Sequence, residues 1–410
     1  MRIVVVSQYY PPENVPIPAE VARGLAERGH SVRVITGYPN YPKGNIFAGY
    51  RQRWRGRELD GPVQVLRVPL FADHSPRALR RMLNYLSFAL SSASARGFAN
   101  GADVVYVYAT QMTAALGPWL WRLVGGPPYV LHVQDLWPDS ITGSSLVETK
   151  ARPGLIEKLI TPWLSSVYRH AAAVIAIAPT MLKTLVERGV APEKAQLVYN
   201  WADEPAAPAP AHLRTADGTT RILYAGNVGD MQDLETAVIA AHNASGCGVH
   251  LTVLGDGVAL PRIKQLAKDL GCTNVEFRGQ VPMDQVHREL RGADFALVCL
   301  KDLPVFRGTI PSKFQTALAN GVPVVSTVQG DLRELVDSYR IGFSADAEDP
   351  DALAATFCAA SRLDRTERIE LGVRAHDLHQ TLFAASVGMA GLERVLRSSR
   401  SHRSARDQPA

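Results

Sequence analysis

The sequence lacks the signals of several protein classes. No segment reaches the roughly 18 consecutive apolar residues expected of a membrane-spanning helix. The N-terminal MRIVVVSQYYPPEN has only a short apolar run before polar residues and prolines, so it predicts a buried strand and not a signal peptide. No G-x-G-x-x-G follows this strand, which argues against a nicotinamide or flavin cofactor. The net charge is +5, but no zinc-finger or RNP pattern accompanies it, so nucleic acid is not an expected partner.

Cysteine is also scarce. The four cysteines, Cys247, Cys272, Cys299 and Cys358, lie far apart and form no C-x-x-C pair. Disulfides are rare in cytosolic proteins, where thiols are kept reduced. The spacing therefore predicts four reduced cysteines that behave as small apolar residues in a cytosolic protein.

Length and element order predict an α/β protein of two domains. The 410 residues exceed the about 100–200 residues of a typical domain. The first 36 residues follow a strand–helix–strand pattern, which implies a parallel sheet, and a similar order recurs after the Pro/Ala-rich segment at residues 204–212. We predict a first domain at residues 1–203, a linker at 204–220, a second domain at 221–375, a C-terminal helix at 376–398 and a disordered tail at 399–410.

The stretch at residues 305–326 predicts an anion site. A Gly/Pro loop ends in Thr-Ile-Pro-Ser-Lys, and a short helix follows from Pro311. The free N–H groups and the positive dipole end of a helix attract anions, and Lys313 adds a full charge there. Pro311, Ser312 and Lys313 are thus a candidate phosphate clamp; the alternative is an ordinary loop–helix–strand connection with a surface lysine.

Two glycine turns follow the first two strands of the second half, Gly226-Asn227-Val228-Gly229 and Gly255-Asp256-Gly257. Glycines let backbone N–H groups approach a phosphate closely. Tight connections between strands and helices use glycine for geometric reasons as well, so each turn alone supports either interpretation.

A predicted strand at residues 129–133 runs into the polar sequence HVQDLWPDS. Polar groups at the carboxyl end of a parallel strand point into the crevice where open α/β sheets bind ligands. His132 and Asp135 are therefore candidate site residues. A hydrogen-bonded core histidine and a helix-capping aspartate are the alternatives.

Residues 76–98 predict a helix with leucines and a methionine on one face, namely Leu79, Met82, Leu83, Leu86 and Leu90. Arg77, Arg80 and Arg81 lie at its start, where cations oppose the helix dipole. One interpretation is a basic amphipathic helix that lies on an anionic bilayer, and the other is a core-facing helix with a solvated edge.

Six segments in this order resemble the GT-B-fold retaining glycosyltransferases of family 4, in particular the bacterial polysaccharide branch of fucosamine and colanic-acid transferases. They are SQYYPPEN, LAERGHSVRVITGYPNYPKG, LHVQDLWPDS, VYNWAD, LYAGNVGDMQDLETA and TIPSKFQTALANGVPVV. The resemblance implies two Rossmann-like domains with parallel sheets that face each other across a central cleft. The N-terminal domain would bind the acceptor, the C-terminal domain the nucleotide sugar, and the last helix would pack back on the N-terminal domain.

The resemblance also implies roles for individual residues. Catalytic roles fall to His132, Asp135 and Lys313, with no metal and no other cofactor. Donor-binding roles fall to Gly226, Asn227, Gly229, Gly255, Asp256, Gln280, Val281, Pro311, Ser312, Lys313, Thr316 and Glu334. Acceptor-binding roles fall to Asn14, Tyr41 and Asp139.

The sequence departs from the family pattern near the donor site. Gly308 and Thr316 occupy the positions of two usual glutamates, so Thr316 offers only a hydroxyl to the ribose. Asn227 and, roughly, Gln232 replace the usual Arg and Lys of the first glycine turn, and residues 14–18 lack the common Gly-Gly. Charge neutralisation is then expected to depend on Lys313.

The expected function is transfer of a sugar from a nucleotide diphosphate donor, with UDP expected, to a lipid-linked or other glycan acceptor of cell-surface polysaccharide biosynthesis. Transfer would be retaining and metal-independent. It would take place in the cytoplasm, with the enzyme peripheral on the inner face of an anionic membrane. A nucleotide-sugar epimerase of the same fold and a non-catalytic nucleotide- or carbohydrate-binding protein are the alternatives.

Overall fold

The structure is a computed structural model that describes residues 1–74, 77–137, 154–202, 204–205 and 218–400. The chain forms two compact units, Met1–Val198 with Met389–Ala410, and Tyr199–Gly388. The chain passes from the first unit to the second after Val198, five residues before the expected boundary at 203. It returns to the first unit at Met389, within the predicted C-terminal helix and not at its start. Most of the predicted linker and tail, residues 206–217 and 401–410, lies outside the described residues.

The first unit contains a mainly parallel sheet in the order β3-β4-β2-β1-β5-β6-β7-β8, in which only the β3–β4 pair is antiparallel. Its strands are β1 (Arg2–Val6), β2 (Ser31–Gly37), β3 (Gly56–Asp60), β4 (Val63–Val68), β5 (Val104–Ala109), β6 (Tyr129–Val133), β7 (Ala173–Ala176) and β8 (Ala195–Leu197). Its helices are α1 (Ile17–Glu27), α2 (Ala78–Ala93), α3 (Arg96–Ala99), α4 (Leu116–Leu123), α5 (Gly154–His170) and α6 (Pro179–Glu187). Successive residues of β1 are fully buried, as expected of a central strand with both faces covered.

The second unit contains a parallel sheet in the order β11-β10-β9-β12-β13-β14. Its strands are β9 (Thr220–Ala225), β10 (Val249–Leu254), β11 (Val275–Gly279), β12 (Phe295–Val298), β13 (Val324–Ser326) and β14 (Gly342–Ser344). Its helices are α7 (Leu234–Asn243), α8 (Leu260–Asp269), α9 (Met283–Arg291), α10 (Ser312–Ala319), α11 (Asp331–Tyr339), α12 (Pro350–Arg362) and α13 (Arg365–Leu378). Alternate residues of one strand belong to different core clusters, so both faces of this sheet are buried.

Helix α14 (Ala385–Ser398) ends the described chain, and most of it is grouped with the first unit. Glu393 of this helix lies 2.9 Å from the Nε2 of His30 and 3.5 Å from the guanidinium of Arg28. These contacts join the C-terminal helix to the turn that precedes β2.

The prediction of four reduced cysteines is wrong for two of them. Cys247 and Cys358 form a disulfide with a Cα–Cα distance of 5.4 Å, whereas Cys272 and Cys299 are free. The partners are separated by 111 residues, so no local spacing pattern reveals the pair. Packing of α12 against the region of α7 brings them together, and the inference of a reducing compartment loses this support.

The leucine face of α2 is exposed. Leu79 and Leu90 are 74% and 65% exposed, and Leu83 and Leu86 exceed 40%. The opposite side of the helix supplies the buried residues Phe88 and Ala89. Burial of the leucine face in the core, one of the two interpretations of this helix, is therefore excluded.

Candidate functional site

Lys313 lies at the start of α10, where the helix N-terminus and the end of β9 meet. Its Nζ donates a hydrogen bond of 2.7 Å to the hydroxyl of Tyr224 and lies 4.1 Å from the centre of that ring. Tyr224 in turn donates to the carbonyl of Asn227 at 2.5 Å. The chain from Lys313 through Tyr224 fixes the ammonium beside the first glycine turn.

Burial lowers the pKa of Lys313 to about 8. The surrounding protein shields the ammonium from water and disfavours its charged form. An anion bound beside Lys313 would favour that charged form. Tyr224 was not among the predicted site residues; the signal for it was only an aromatic residue two positions before Gly226.

Pro311 is the N-cap of α10, which begins at Ser312 and not at the predicted Pro311. Ser312 is exposed, and the hydroxyl of Thr316 donates to its carbonyl at 3.0 Å. The predicted clamp of Pro311, Ser312 and Lys313 therefore gathers at one helix end. The Thr316 hydroxyl still has lone pairs, so its ribose contact stays a prediction.

The two glycine turns pack directly on each other. A Cβ on Gly255 would overlap the carbonyl oxygen of Gly226, and both residues have positive φ, +140° and +150°. The N–H of Gly226 donates to Leu254 at 2.9 Å, and the N–H of Val228 donates to Asp256 at 2.9 Å. Glycine is needed at Gly255 for this close approach of backbones, and the positive φ favours glycine at both positions.

The other predicted donor residues lie at the same carboxyl edge of the second sheet. The amide oxygen of Gln232 accepts from the Asn227 side chain at 3.1 Å and from the N–H of Gly229 at 3.0 Å. Gln280 and Val281 follow β11, and the exposed Glu334 lies in the first turns of α11 after β13. The edge thus brings the predicted donor residues together, and their roles stay predictions.

His132 is fully buried in the middle of the first unit's sheet. Its Nδ1 lies 2.7 Å from the hydroxyl of Tyr106, and burial lowers its pKa to about 3. The imidazole is therefore neutral at physiological pH. No described residue hydrogen-bonds to its Nε2.

Asp135 lies two residues beyond β6 and reaches solvent. Nevertheless, burial raises its pKa to about 6. The two observations agree if the carboxylate lines a crevice, where one side touches water while protein atoms exclude bulk solvent from the other. Of these two candidates, Asp135 is the one that a ligand can touch, because the His132 side chain is fully buried.

Aromatic rings surround this edge of the first sheet. Tyr41 lies 5.3 Å from Tyr9 and 4.9 Å from His74, between ring centres, and Tyr85 lies 6.2 Å from Trp137. Of the predicted acceptor residues, Tyr41 belongs to this cluster, Asn14 is exposed in the loop after β1, and Asp139 lies outside the described residues.

Glu13 holds two loops of this edge together and was missed by the sequence analysis. Its buried carboxylate accepts backbone N–H bonds from Tyr10 at 3.2 Å, Asn40 at 2.8 Å and Tyr41 at 2.9 Å. Burial raises the pKa of Glu13, and the three hydrogen bonds oppose that rise. A glutamate in a loop gave no sequence signal for this role.

In the described part of the chain, no group of three or more His, Cys, Asp and Glu side chains could hold a metal ion. Metal independence itself stays a prediction.

Both halves of the chain match known protein families. Residues 17–201 match the Glycosyl transferase 4-like domain, and residues 219–362 match Glycosyl transferases group 1. The chain is also similar to a protein of Escherichia coli (strain K12) named as a colanic acid biosynthesis glycosyl transferase, WcaI. The two are 30% identical over 377 residues, which are 87% of this chain and 91% of that protein.

Two solved structures share the fold. Sucrose-phosphate synthase from Thermosynechococcus elongatus superimposes with a TM-score of 0.69 at 17% identity, over 97% of this chain and 98% of that one. Anabaena Alr3699/HepE in complex with UDP and glucose gives a TM-score of 0.65 at 14% identity, over 97% and 100%. The expected fold, two Rossmann-like halves of the GT-B type, is confirmed.

Proposed function

The chain belongs to the family 4 glycosyltransferases with the GT-B fold, and we propose that it transfers a sugar from a UDP-sugar to a lipid-linked glycan in cell-surface polysaccharide biosynthesis. The donor proposal is supported by HepE, which was solved with UDP. The pathway proposal is supported by the relative named for colanic acid biosynthesis. Both family matches name glycosyl transferases, which argues against the epimerase and the non-catalytic alternatives.

The position of Lys313 carries the proposal. Breaking the bond between the sugar and the diphosphate develops negative charge on the leaving group, and preorganised cations and dipoles stabilise that charge. Lys313, the N-terminus of α10 and the turn after β9 converge on one point of the second unit. This arrangement offers the diphosphate one full charge and the positive end of the α10 dipole.

We propose a retaining, metal-independent reaction. The bond from the anomeric carbon to the phosphate oxygen breaks, the acceptor oxygen bonds to that carbon from the same face, and the acceptor proton passes to the departing phosphate oxygen. No strong base is needed. Asp135 then orients the acceptor hydroxyl, and the buried His132 supports the end of β6.

A thermal-shift panel of nucleotide sugars tests the donor, because a ligand that binds only the folded protein raises its melting temperature. We expect UDP and one UDP-sugar to raise it, both with and without EDTA. Incubation of that UDP-sugar with a lipid-linked glycan should then release UDP and extend the glycan with retention. A new epimer in the absence of acceptor would favour the epimerase, and binding without turnover would favour the non-catalytic alternative.

We further propose that α2 lies on an anionic membrane surface, with Leu79, Leu83, Leu86 and Leu90 inserted among the lipids. The exposed Arg77 and Arg80 flank this face. Trp54 is 63% exposed and extends the leucine face. Its ring stacks on Arg55, and Arg55 donates a hydrogen bond of 2.8 Å to the carbonyl of Ser94, just beyond the end of α2. Arg51, Arg53 and Arg57 add exposed positive charge. Apolar side chains with flanking cations are typical of helices that lie on anionic lipid.

No helix in the described residues is long and apolar enough to cross a membrane. Surface docking is tested by flotation with vesicles that contain phosphatidylglycerol. We expect the wild type to float at low salt, less at high salt because screening weakens the attraction, and the L83E/L86E variant to stay at the bottom. Val373→Glu, a matched change at an exposed valine of α13, should float like the wild type. Failure of the wild type to float at low salt would contradict the proposal.

A further inference from the structure

A cavity of about 300 Å³ lies on one face of the second sheet. It is bounded by β9, β10 and β11 and by the C-terminal end of α9. Leu251 and Val253 of β10 belong to the core on the other face. Strand residues alternate between the two faces, so His250 and Thr252 point towards the cavity that they line. Strands of a parallel sheet are normally apolar on both faces, and the polar residues here therefore mark a place where the sheet meets a polar environment.

The cavity is separate from the proposed donor site. Arg221 of β9 lines the cavity, and Gly226 of the first glycine turn follows it by five residues. A strand rises by about 3.3 Å per residue, so the two positions are about 16 Å apart. Lys313 lies beside that turn and does not line the cavity. A ligand in the cavity therefore leaves the diphosphate site free.

The lining carries more positive than negative charge. Arg221 and Arg278 contribute two guanidinium groups, and Glu289 contributes one carboxylate. Arg278 is held in place, because one terminal nitrogen lies 2.8 Å from Glu289 and the other lies 2.8 Å from Glu276, which is outside the lining. Each of these nitrogens carries a second N–H group, so Arg278 can still donate to a ligand. Exposed ion pairs of this kind are weak and yield readily to a stronger anion.

Two side chains of β10 add polar groups to the cavity. Thr252 is only 9% exposed, yet its hydroxyl forms no hydrogen bond with another described residue. That hydroxyl is thus available to a ligand. His250 is paired with Arg221 across the two strands, and its Nε2 lies 3.8 Å from the carboxylate of Glu276. The imidazole adds a nitrogen that can donate a hydrogen bond beside the guanidinium.

Guanidinium groups match a phosphate closely, because they donate two parallel hydrogen bonds to it. A volume of about 300 Å³ is at the lower end of the range of small-molecule sites, so it suits one sugar ring with a phosphate and not a nucleotide sugar. We propose that the cavity binds a phosphorylated monosaccharide. The phosphate binds to Arg221 and Arg278, and the sugar hydroxyls bind to Glu289 and Thr252. This second site does not depend on the proposed function.

Isothermal titration with glucose 6-phosphate tests this site, with UDP present to occupy the donor site. Glucose and inorganic phosphate are the comparison probes. We expect the wild type to bind glucose 6-phosphate more tightly than either of them. Arg221→Gln and Arg278→Gln should each weaken this binding by about tenfold or more, because each removes hydrogen bonds to a charged group. Thr252→Val keeps the shape and the charge and should weaken it by about threefold.

Arg374→Gln is the matched control. The side chain of Arg374 is 41% exposed, close to the 40% of Arg278, and it pairs with Glu370 without lining the cavity. This variant and Lys313→Ala should each change the affinity for glucose 6-phosphate by less than twofold. The melting temperature of each variant verifies folding.

Four results would overturn the proposal. A loss in Arg374→Gln equal to that in Arg278→Gln would reflect overall charge, and an equal loss in Lys313→Ala would place the ligand at the donor site. Equal affinity of the wild type for glucose and for glucose 6-phosphate would exclude the phosphate contact, and no binding of glucose 6-phosphate would exclude the site. UDP binding is measured separately, so its absence would contradict the proposed donor without changing the result for the cavity.

Discussion

The carboxyl edges of the two sheets differ in the types of residue that form them. The edge of the second sheet consists of glycine turns, a helix N-terminus and one cation, and its central contact is Lys313 on Tyr224. The edge of the first sheet consists of aromatic rings and titratable side chains, with Asp135 at its surface and His132 beneath.

This difference follows from what each edge is proposed to bind. A diphosphate is recognised by charge and by N–H groups, which backbone and one lysine supply. A sugar is recognised by hydrogen bonds and also by flat apolar faces, which only side chains supply. Removing the one cation of the second edge should therefore cause a large loss of activity. Removing a single side chain of the first edge should cause a smaller loss.

The largest expected effect is that of Lys313→Ala. Removing the full charge from the leaving-group site should lower transfer by about 10²–10³-fold, as loss of one preorganised donor does in other enzymes. UDP affinity should fall as well, with little change in melting temperature. Isothermal titration and a transfer assay measure both.

Arg288→Ala is the control for that variant, because it removes a cation of the same unit whose exposed side chain forms an ion pair on the surface with Asp284. A Lys313→Ala protein that binds UDP as tightly as the wild type would remove the basis of the donor site.

Asp135→Asn should have a smaller effect and should lower transfer by about tenfold or more, with UDP affinity unchanged. A tenfold loss is below the usual range for general acid–base groups. The pKa of Asp135 is raised from 3.8 to about 6, so the carboxylate is protonated below pH 6 and ionised above it. Transfer by the wild type should therefore rise between pH 5 and 7. The pH profile of the variant should lack this rise; if it keeps it, another group is responsible.

A pH effect on the second edge should be smaller still. The pKa of Lys313 is lowered from 10.5 to about 8, so at pH 9 only about a tenth of the free protein carries the charge. UDP affinity should fall up to tenfold between pH 7 and 9. Lys313→Arg keeps its charge and should bind UDP equally at both pH values. A parallel fall in both proteins would place the titrating group elsewhere.

The smallest effect on either edge is expected from the disulfide. Replacing Cys247 and Cys358 by serine opens a loop of 111 residues and should lower the free energy of unfolding by about 2–4 kcal/mol. UDP affinity should stay within twofold. Chemical denaturation with and without reductant measures the change, and Cys272→Ser is the control. Equal stability of the oxidised and reduced wild type would show that the bond contributes nothing.

Much of the fold was predictable because buried parallel strands leave a clear pattern. Apolar runs such as residues 3–6, and the helix stop at Gly29, define the first β-α-β unit, and the structure confirms it. The family, the GT-B fold and the enzyme class were also predicted correctly from ordered segments. The predicted site residues that the structure describes collect at the two carboxyl edges, because parallel strands bring their ends to one side of a sheet.

The contacts that give these residues their properties were not predictable. Tyr224 under Lys313, Glu13 between two loops and the Cys247–Cys358 bond all join segments that are distant in sequence. The leucine face of α2 has the same period whether it meets a core or solvent, so its exposure could not be predicted from spacing.

The sequence by itself determined the element order, the parallel sheets and the positions of the candidate residues at strand and helix ends, because these depend on local periodicity and turn chemistry. Only the tertiary structure decided which of these groups are charged and which are accessible. His132 and Asp135 are three residues apart, yet burial keeps the first neutral and the position beyond the strand leaves the second open to solvent. Burial and proximity are sums over many distant residues, and no local pattern encodes them.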